Sequence, residues 1–382
     1  MTAGEPLRNA GESLHGGGEV LLTGATGFVG MELLARYLER GQRNVVAVVR
    51  ARDDEAARGR LDAVLANLFG DRADRYGDRV QAVAGELTAP RLGLSKARCE
   101  QLARRVTTIV HSAASVSFAL PLAQARAINL DGTRRMLEFA QLARDRGGLD
   151  RYGQISTAYV AGNHAGRFAE CDLDLGQGFR NSYEQSKFEA EQLVRATRDL
   201  PHTILRPSIV VGDRYSGWTS AFNVLYWPLR AFARGLFKAV PGIPTALVDV
   251  VSVDYVADAI HALCGSAGGA GQTYHLTAGR DASTLDEIAN LASGYFRRPR
   301  PQVLSPEEFA ALDTSSAFEE SQTYFPYFAI GTVFDEQLTR AQLEPVGIRV
   351  SPLGDYIERL LDFATRTRWG KRPIARVEAL AT

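Results

Sequence analysis

From Glu19 onward, short apolar runs alternate with longer stretches in which apolar residues recur every three or four positions. Val20-Leu21-Leu22 predicts a first strand. A glycine-rich turn follows, and Phe28, Leu33, Leu34 and Leu38 then fall at helical spacing. The run Val45-Val46-Ala47-Val48-Val49 has no polar alternation, the pattern of a strand buried on both faces of a parallel sheet. Helical text over 61–69, a strand over 80–83, a helix near 98–104, a strand over 106–111, a long helix from about 120 to 143 and a strand over 152–156 continue the alternation. Strand and helix in regular succession with short connections predict an α/β fold, a doubly wound parallel sheet with right-handed crossovers.

The pattern changes after Val211-Gly212. An aromatic-rich insertion runs from Trp218 to Pro244, core-like text returns at Val248-Asp249-Val250-Val251, and the last third is mixed and mainly helical. Ligands of open α/β sheets bind beyond the carboxyl ends of the strands, so segments inserted after late strands tend to build the substrate side. The expected organisation is a tail over 1–18 and a dinucleotide-binding domain over 19–212 with 245–280 returning to it. Residues 213–244 and 281–370 would form a smaller, mainly helical substrate lobe, and 371–382 a loose tail.

Composition narrows the classes. Lys+Arg 44 against Asp+Glu 44 leaves no net charge, and no basic block offers the positive field that nucleic-acid binding needs. Cys99, Cys171 and Cys264 are odd in number and lack paired spacing, which suggests neither a disulfide framework nor a zinc site and fits a reducing cytoplasm. Residues 1–18 lack the apolar core of a signal peptide, and no stretch reaches the length of a transmembrane helix.

Thr23-Gly24-Ala25-Thr26-Gly27-Phe28-Val29-Gly30 closes the first strand and opens the first helix, with glycines in a G-x-x-G-x-x-G rhythm. Gly24 permits a sharp turn, Gly27 lets backbone amides approach a pyrophosphate at the helix N-terminus, and Gly30 allows close packing of helix on strand. This is the signature of a Rossmann dinucleotide site, with Thr23, Thr26, Phe28 and Val29 lining the same turn. The second strand ends at Arg50, whose guanidinium suits a bidentate contact to a ribose 2′-phosphate. NADPH is therefore the expected cofactor, while Asp53 and Asp54 nearby leave NADH open.

Tyr183 and Lys187 stand one helical turn apart at the start of a predicted helix over 183–196, so both project from one face. Only four lysines occur in the chain (Lys96, Lys187, Lys238 and Lys371), which gives the pairing weight. A neighbouring ammonium favours the phenolate and would lower the tyrosine pKa, improving it as a proton donor near neutral pH. Ser156-Thr157 closes the preceding strand, where the Thr157 hydroxyl is placed to bond an oxygen on which negative charge develops.

Through these residues the chain resembles the extended short-chain dehydrogenase/reductases. The segments that carry the resemblance are Thr23 to Gly30, His111-Ser112-Ala113-Ala114, Asn129-Leu130-Asp131-Gly132-Thr133, Ser156-Thr157, Tyr183 to Lys187 and Leu205-Arg206-Pro207. Within that superfamily it looks most like the thioester-reductase and fatty acyl-CoA reductase branch, which has a male-sterility-type NAD-binding domain. The cues for the branch are Ile155-Ser156-Thr157-Ala158-Tyr159-Val160, Arg206-Pro207-Ser208-Ile209-Val210, Gly217-Trp218-Thr219 and Asp249-Val250-Val251-Ser252-Val253-Asp254.

The resemblance implies a Thr157-Tyr183-Lys187 site that reduces an acyl thioester, on CoA or an acyl carrier protein, to an aldehyde or onward to an alcohol. It also implies that Ala113 and Ala114 back the cofactor, that Asn129 supports the active-site helix and a proton relay, and that Pro207 and Ile209 touch the nicotinamide. Glu86-Leu87 falls at the adenine, Glu86 standing where the family usually has Asp. His111 and His275 read as structural. A nucleotide-sugar epimerase or dehydratase and a hydroxysteroid-type dehydrogenase share the cofactor residues and stay open, whereas the Tyr183–Lys187 pair argues against a non-catalytic NADP-binding protein.

In the insertion, Leu225, Leu229, Phe232 and Leu236 are spaced to share one face of a helix, with Arg230, Arg234 and Lys238 opposite. Such a helix can pack on a core, line an acyl channel with its basic side toward CoA phosphates or an acidic carrier, or lie on a membrane surface.

Overall fold

A computed structural model describes residues 17–222, 224–236, 238–311 and 324–381. Val45–Val49 is buried at all five positions, as a strand without polar alternation must be, and it lies inside a seven-stranded sheet. The strands are β1 (Glu19–Thr23), β2 (Val45–Val49), β3 (Val80–Ala84), β4 (Val106–His111), β5 (Arg151–Ile155), β6 (His202–Pro207) and β7 (Gln272–Leu276). Their order is β7-β6-β5-β4-β1-β2-β3, and every pairing is parallel. Chain direction across the sheet reverses between β1 and β4, where Thr23 pairs with His111 at the carboxyl ends, so the ligand crevice of the fold opens there.

Six helices cover the sheet: α1 (Phe28–Arg40), α2 (Asp54–Phe69), α3 (Lys96–Ala103), α4 (Gly132–Gly147), α5 (Ser182–Ala196) and α6 (Val253–Gly265). Alternate strand residues point to opposite faces. Val20, Leu22, Val45 and Ala47 accordingly pack with α1, α2 and α6, whereas Leu21, Val46 and Val48 pack with α3 and α4. A third apolar cluster lies off the sheet and gathers Tyr159, Phe188, Leu229, Ile288, Tyr327 and Leu361 from segments far apart in sequence. The helices Leu285–Phe296 and Ile357–Arg366 belong to it. Three short parallel pairings, between 209–211 and 250–252, 239–241 and 302–304, and 166–168 and 332–334, stitch these segments together. No described helix is long and apolar enough to cross a membrane.

The structure departs from the sequence reading in four places. The long helix expected over 120–143 is Leu122–Arg126 and α4 joined by a π-helical turn, Ala127–Asp131, which buries Asn129. The insertion helix spans only Tyr226–Ala233 because Gly235 adopts a left-handed conformation, φ 75°, and ends it. Leu225, Leu229 and Phe232 are buried as expected, but Leu236 is 45% exposed and Lys238 lies beyond the helix. Trp218 does not build the lobe. It is buried in the sheet core near Phe28 and donates its indole N–H to the Ile374 carbonyl at 3.1 Å. The stretch after Lys371 is not loose either, since Arg376–Leu380 is helical and the Arg376 guanidinium pairs with buried Glu32 of α1. That ion pair joins residues at opposite ends of the chain, which no local pattern reveals.

Candidate active site

The glycine loop after β1 is shaped by close approach. Gly24 has φ 76°, and a Cβ there would lie 2.8 Å from the Ala113 nitrogen. A Cβ on Gly30 would lie 1.9 Å from the Gly24 carbonyl oxygen, so only glycine lets α1 start this close to the turn. Thr23 locks the loop to β4: its hydroxyl bonds His111 Nδ1 at 2.8 Å and accepts the Ala113 N–H at 3.1 Å. The first turn of α1 has neither a capping side chain nor an acidic residue, whereas α2 and α5 are capped by Asp53 and Asn181. The amides at the head of α1 therefore suit an anionic ligand, which fits the pyrophosphate of a dinucleotide.

At the end of β2, Arg50 is exposed and has no ion pair among the described residues. Both nearby carboxylates are committed elsewhere. Asp53 accepts the Ala56 N–H at 2.8 Å and pairs with Arg52, while Asp54 accepts the Ala84 N–H at 2.8 Å and pairs with Arg98. Arg60, which no local sequence pattern marks, reaches in from α2 to bond the Arg50 carbonyl and Thr26 Oγ1, the latter at 3.4 Å. The corner of the loop thus carries the guanidinium groups of Arg50 and Arg60, with Asp53 and Asp54 both engaged. Glu86 turns to its own loop, accepting from the Thr88 amide and hydroxyl at 3.1 and 3.0 Å, and Leu87 packs against the core beside Gly132.

Helix α5 begins at Asn181, whose side chain accepts the Glu184 N–H at 3.0 Å, and this fixes the turn that carries Tyr183. Lys187, one turn on, is buried and donates to the Ile155 carbonyl at 2.7 Å. The Thr157 hydroxyl accepts the Tyr159 N–H at 3.3 Å, donates to the Pro207 carbonyl at 3.4 Å and stands close enough to the Tyr183 phenol to pull its pKa down. The structure thus brings Thr157, Tyr183, Lys187 and Pro207 together at the carboxyl ends of β5 and β6, with Ile209 buried one step beyond Ser208.

Burial dominates the electrostatics here. It pushes the Tyr183 phenol up to about 12, with the Thr157 hydroxyl pulling it down and Glu184 pushing it further up. The same desolvation pulls Lys187 down to about 8, opposed by Glu191. This reverses the sequence expectation that the ammonium would set the tyrosine low, because spacing shows neighbours and not the loss of water around them.

Asn129 is buried in the π-helical turn and links the loop after β4 to α5. Its amide donates to the Ser186 hydroxyl at 3.0 Å and to the Ser115 carbonyl at 3.1 Å, while its oxygen accepts the Ser115 N–H at 2.8 Å. His111 lies between the Thr23 and Thr133 hydroxyls, and burial pulls it down to about 3, so the ring is neutral. Beside Tyr183 stands an aromatic wall. The Phe118 ring lies 5.7 Å from that of Tyr183, 5.8 Å from Tyr324 and 5.4 Å from Tyr327. The Tyr327 hydroxyl donates to Glu184 at 2.7 Å, which ties the segment around 324–328 to the head of α5.

The sequence of the male sterility protein family of NAD-binding domains matches residues 22–260, which include the loop, Arg50, Thr157, Tyr183 and Lys187. The chain belongs to this family. It thereby has an NAD-binding domain of the extended short-chain dehydrogenase/reductase type. It is 35% identical over 250 residues to an isonitrile lipopeptide synthase of Streptomyces coeruleorubidus, covering 63% of this chain and 16% of that protein. It is 28% identical over 403 residues to the L-2-aminoadipate reductase large subunit of Eremothecium gossypii, covering 94% of this chain and 28% of that one. The chain therefore spans well under a third of the length of these two relatives. Among solved structures, the terminal R domain from the myxalamid PKS-NRPS biosynthetic pathway superposes with a TM-score of 0.81 at 26% identity, covering 94% of each chain.

Proposed function

We propose that this chain reduces a carrier-bound acyl thioester to an aldehyde with NADPH. The observation that carries the reading is the arrangement of Thr157, Tyr183 and Lys187 at the carboxyl end of β5, one strand from the β1–β4 crevice. A bound reduced nicotinamide supplies the hydride. Tyr183 and Thr157 offer hydrogen bonds to the thioester oxygen as charge develops on it. A phenol raised to about 12 keeps its proton at neutral pH and is ready to give it to that oxygen. The Lys187 ammonium then stabilises the phenolate left behind. The neutral hemithioacetal collapses to an aldehyde and a free thiol.

Two observations support the finer points. Arg50 and Arg60 offer cations for the 2′-phosphate of NADPH while Asp53 and Asp54 are engaged elsewhere. The similarity to a lipopeptide synthase and to a PKS-NRPS terminal R domain favours a thioester on a carrier protein over free acyl-CoA, since such assembly lines hold their acyl groups on carriers.

The test mixes purified protein, NADPH or NADH, and acyl groups on carrier protein or CoA, following nucleotide oxidation and thiol release together. One NADPH consumed per thiol released, with faster turnover on the carrier, is the expected result. Tyr183→Phe is expected to lose on the order of 10²–10⁴-fold in rate. Wild-type turnover by that variant, or thioesters left untouched by protein with bound cofactor, would sink the reading.

A further inference from the structure

Three consecutive residues at the end of β5 are each tied to a different turn of α5. The Ile155 carbonyl accepts from Lys187, the Thr157 hydroxyl stands beside the Tyr183 phenol, and between them Ser156 Oγ donates to Glu191 Oε2 at 2.7 Å. Tyr183, Lys187 and Glu191 follow at four-residue steps and share one helix face. The first and last of the three ties serve the proposed chemistry directly, and the middle one does not.

Glu191 is fully buried and anchored from behind. Arg206 of β6, equally without exposure, donates to it at 2.6 and 3.1 Å. Arg206 also donates to the Asp172 carbonyl at 2.6 Å and to His275 Nε2 of β7 at 2.9 Å, and His275 donates through Nδ1 to the Asp335 carbonyl at 2.8 Å. Arg195 adds a second cation to Glu191 at 3.0 Å. A buried ion pair is weak evidence of a gain in stability, because removing two charges from water offsets most of their attraction. This one stands directly behind the residues that hold Lys187 and Tyr183.

We infer that Glu191 is a positioning residue: gripped by Arg206, it holds Ser156 so that the Ile155 carbonyl and the Thr157 hydroxyl stay in register with Lys187 and Tyr183, and it places a negative charge one turn from Lys187. The inference rests on the proposed roles of Thr157, Tyr183 and Lys187.

The groups facing Lys187 make the charge effect legible. Glu191 and the neutral Tyr183 phenol lie on its own helix, β5 presents the uncharged Ile155 carbonyl, β4 presents His111 in its neutral form, and Arg206 stands behind Glu191. Glu191 is the one group here that opposes burial in holding Lys187 at about 8. Its loss lowers Lys187 further.

The test compares kcat, KM and their pH profiles in wild type, Ser156→Ala and Glu191→Gln, with Tyr183→Phe as control. Ser156→Ala keeps the Glu191–Arg206 pair and is expected to unfold near the wild-type temperature. It should lose on the order of tenfold to a hundredfold in kcat at unchanged KM, the size of effect that misplaced reacting groups produce, with the alkaline limb in place. Glu191→Gln can keep the bond from Ser156 and removes the charge, so its alkaline limb should move to lower pH by about one unit. Wild-type kcat in Ser156→Ala overturns the inference, as does an unmoved limb in folded Glu191→Gln, and Ser156→Ala decides alone if Glu191→Gln fails to fold. Those results alongside an inactive Tyr183→Phe remove the tie only, whereas a fully active Tyr183→Phe overturns the assignment of the reacting groups and the tie with it.

Discussion

Replacing Arg60, and Arg50 beside it, by alanine tests the cofactor assignment where sequence and structure differ most. Arg60 is exposed, so its removal should change stability by no more than about 0.5 kcal/mol. Its guanidinium is held over Thr26 and the Arg50 carbonyl, at the corner where a 2′-phosphate enters a site of this kind. A hydrogen bond to a charged partner contributes about 1.5–3 kcal/mol, and solvent exposure of both arginines places the expectation at the low end. Each single variant should then bind NADPH about tenfold more weakly, and the double variant about a hundredfold. NADH lacks the phosphate, and its affinity should stay near wild type. Calorimetric titration with both nucleotides at low and high salt measures this, and the loss should shrink as salt screens the charges. Equal losses for NADH and NADPH would place the arginines on a part of the cofactor common to both. Unchanged NADPH binding would refute the assignment outright.

Two further outcomes follow from the same region. Gly30→Ala puts a Cβ 1.9 Å from the Gly24 carbonyl oxygen, so α1 must back away from the loop; a loss of about 1–3 kcal/mol and of most nucleotide affinity is expected, and wild-type NADPH binding by this variant would contradict the close-approach argument. Burial lowers His111 from 6.5 to about 3, so the unfolded chain takes up this proton first as pH falls. The stability it contributes is complete above about pH 6.5 and is lost as pH falls toward 3, up to about 5 kcal/mol. Denaturant unfolding of wild type and His111→Gln on acidification should show a shallower pH slope in the variant, and identical slopes would rule out His111 as a source of acid sensitivity.

What the sequence discloses follows from how local each feature is. The buried run Val45–Val49, the loop from Thr23 to Gly30 and the one-turn spacing of Tyr183 and Lys187 are set within a few residues, where strand and helix periods can be read directly. Arg60 was not legible as a neighbour of Thr26, because the contact joins α2 to a loop 34 residues earlier and depends on how the helix crosses the sheet. The insertion helix is shorter than its apolar spacing implies, because that spacing continues to Leu236 while Gly235 turns the backbone away. Charge pairs such as Arg376 with Glu32 and Arg206 with Glu191 connect distant segments, and in sequence each partner looks like a surface residue.

The reversal at Tyr183 bears on how such a site would work near neutral pH. A surface phenol beside an ammonium would be a stronger acid, but it would also meet water, and water reaching a thioester competes with reduction by hydrolysing it. Desolvation raises the phenol to about 12, so Tyr183 holds its proton throughout the neutral range. The group whose charge changes nearest to neutrality is then Lys187, drawn down to about 8. Its ammonium is needed once the phenolate forms, so the alkaline limit of turnover passes from the acid to the residue that supports it. On the positioning role inferred for Glu191, burial sets that limit low and the carboxylate holds it from falling further, a use for a buried charge whose ion pair with Arg206 is by itself weak evidence of a gain in stability.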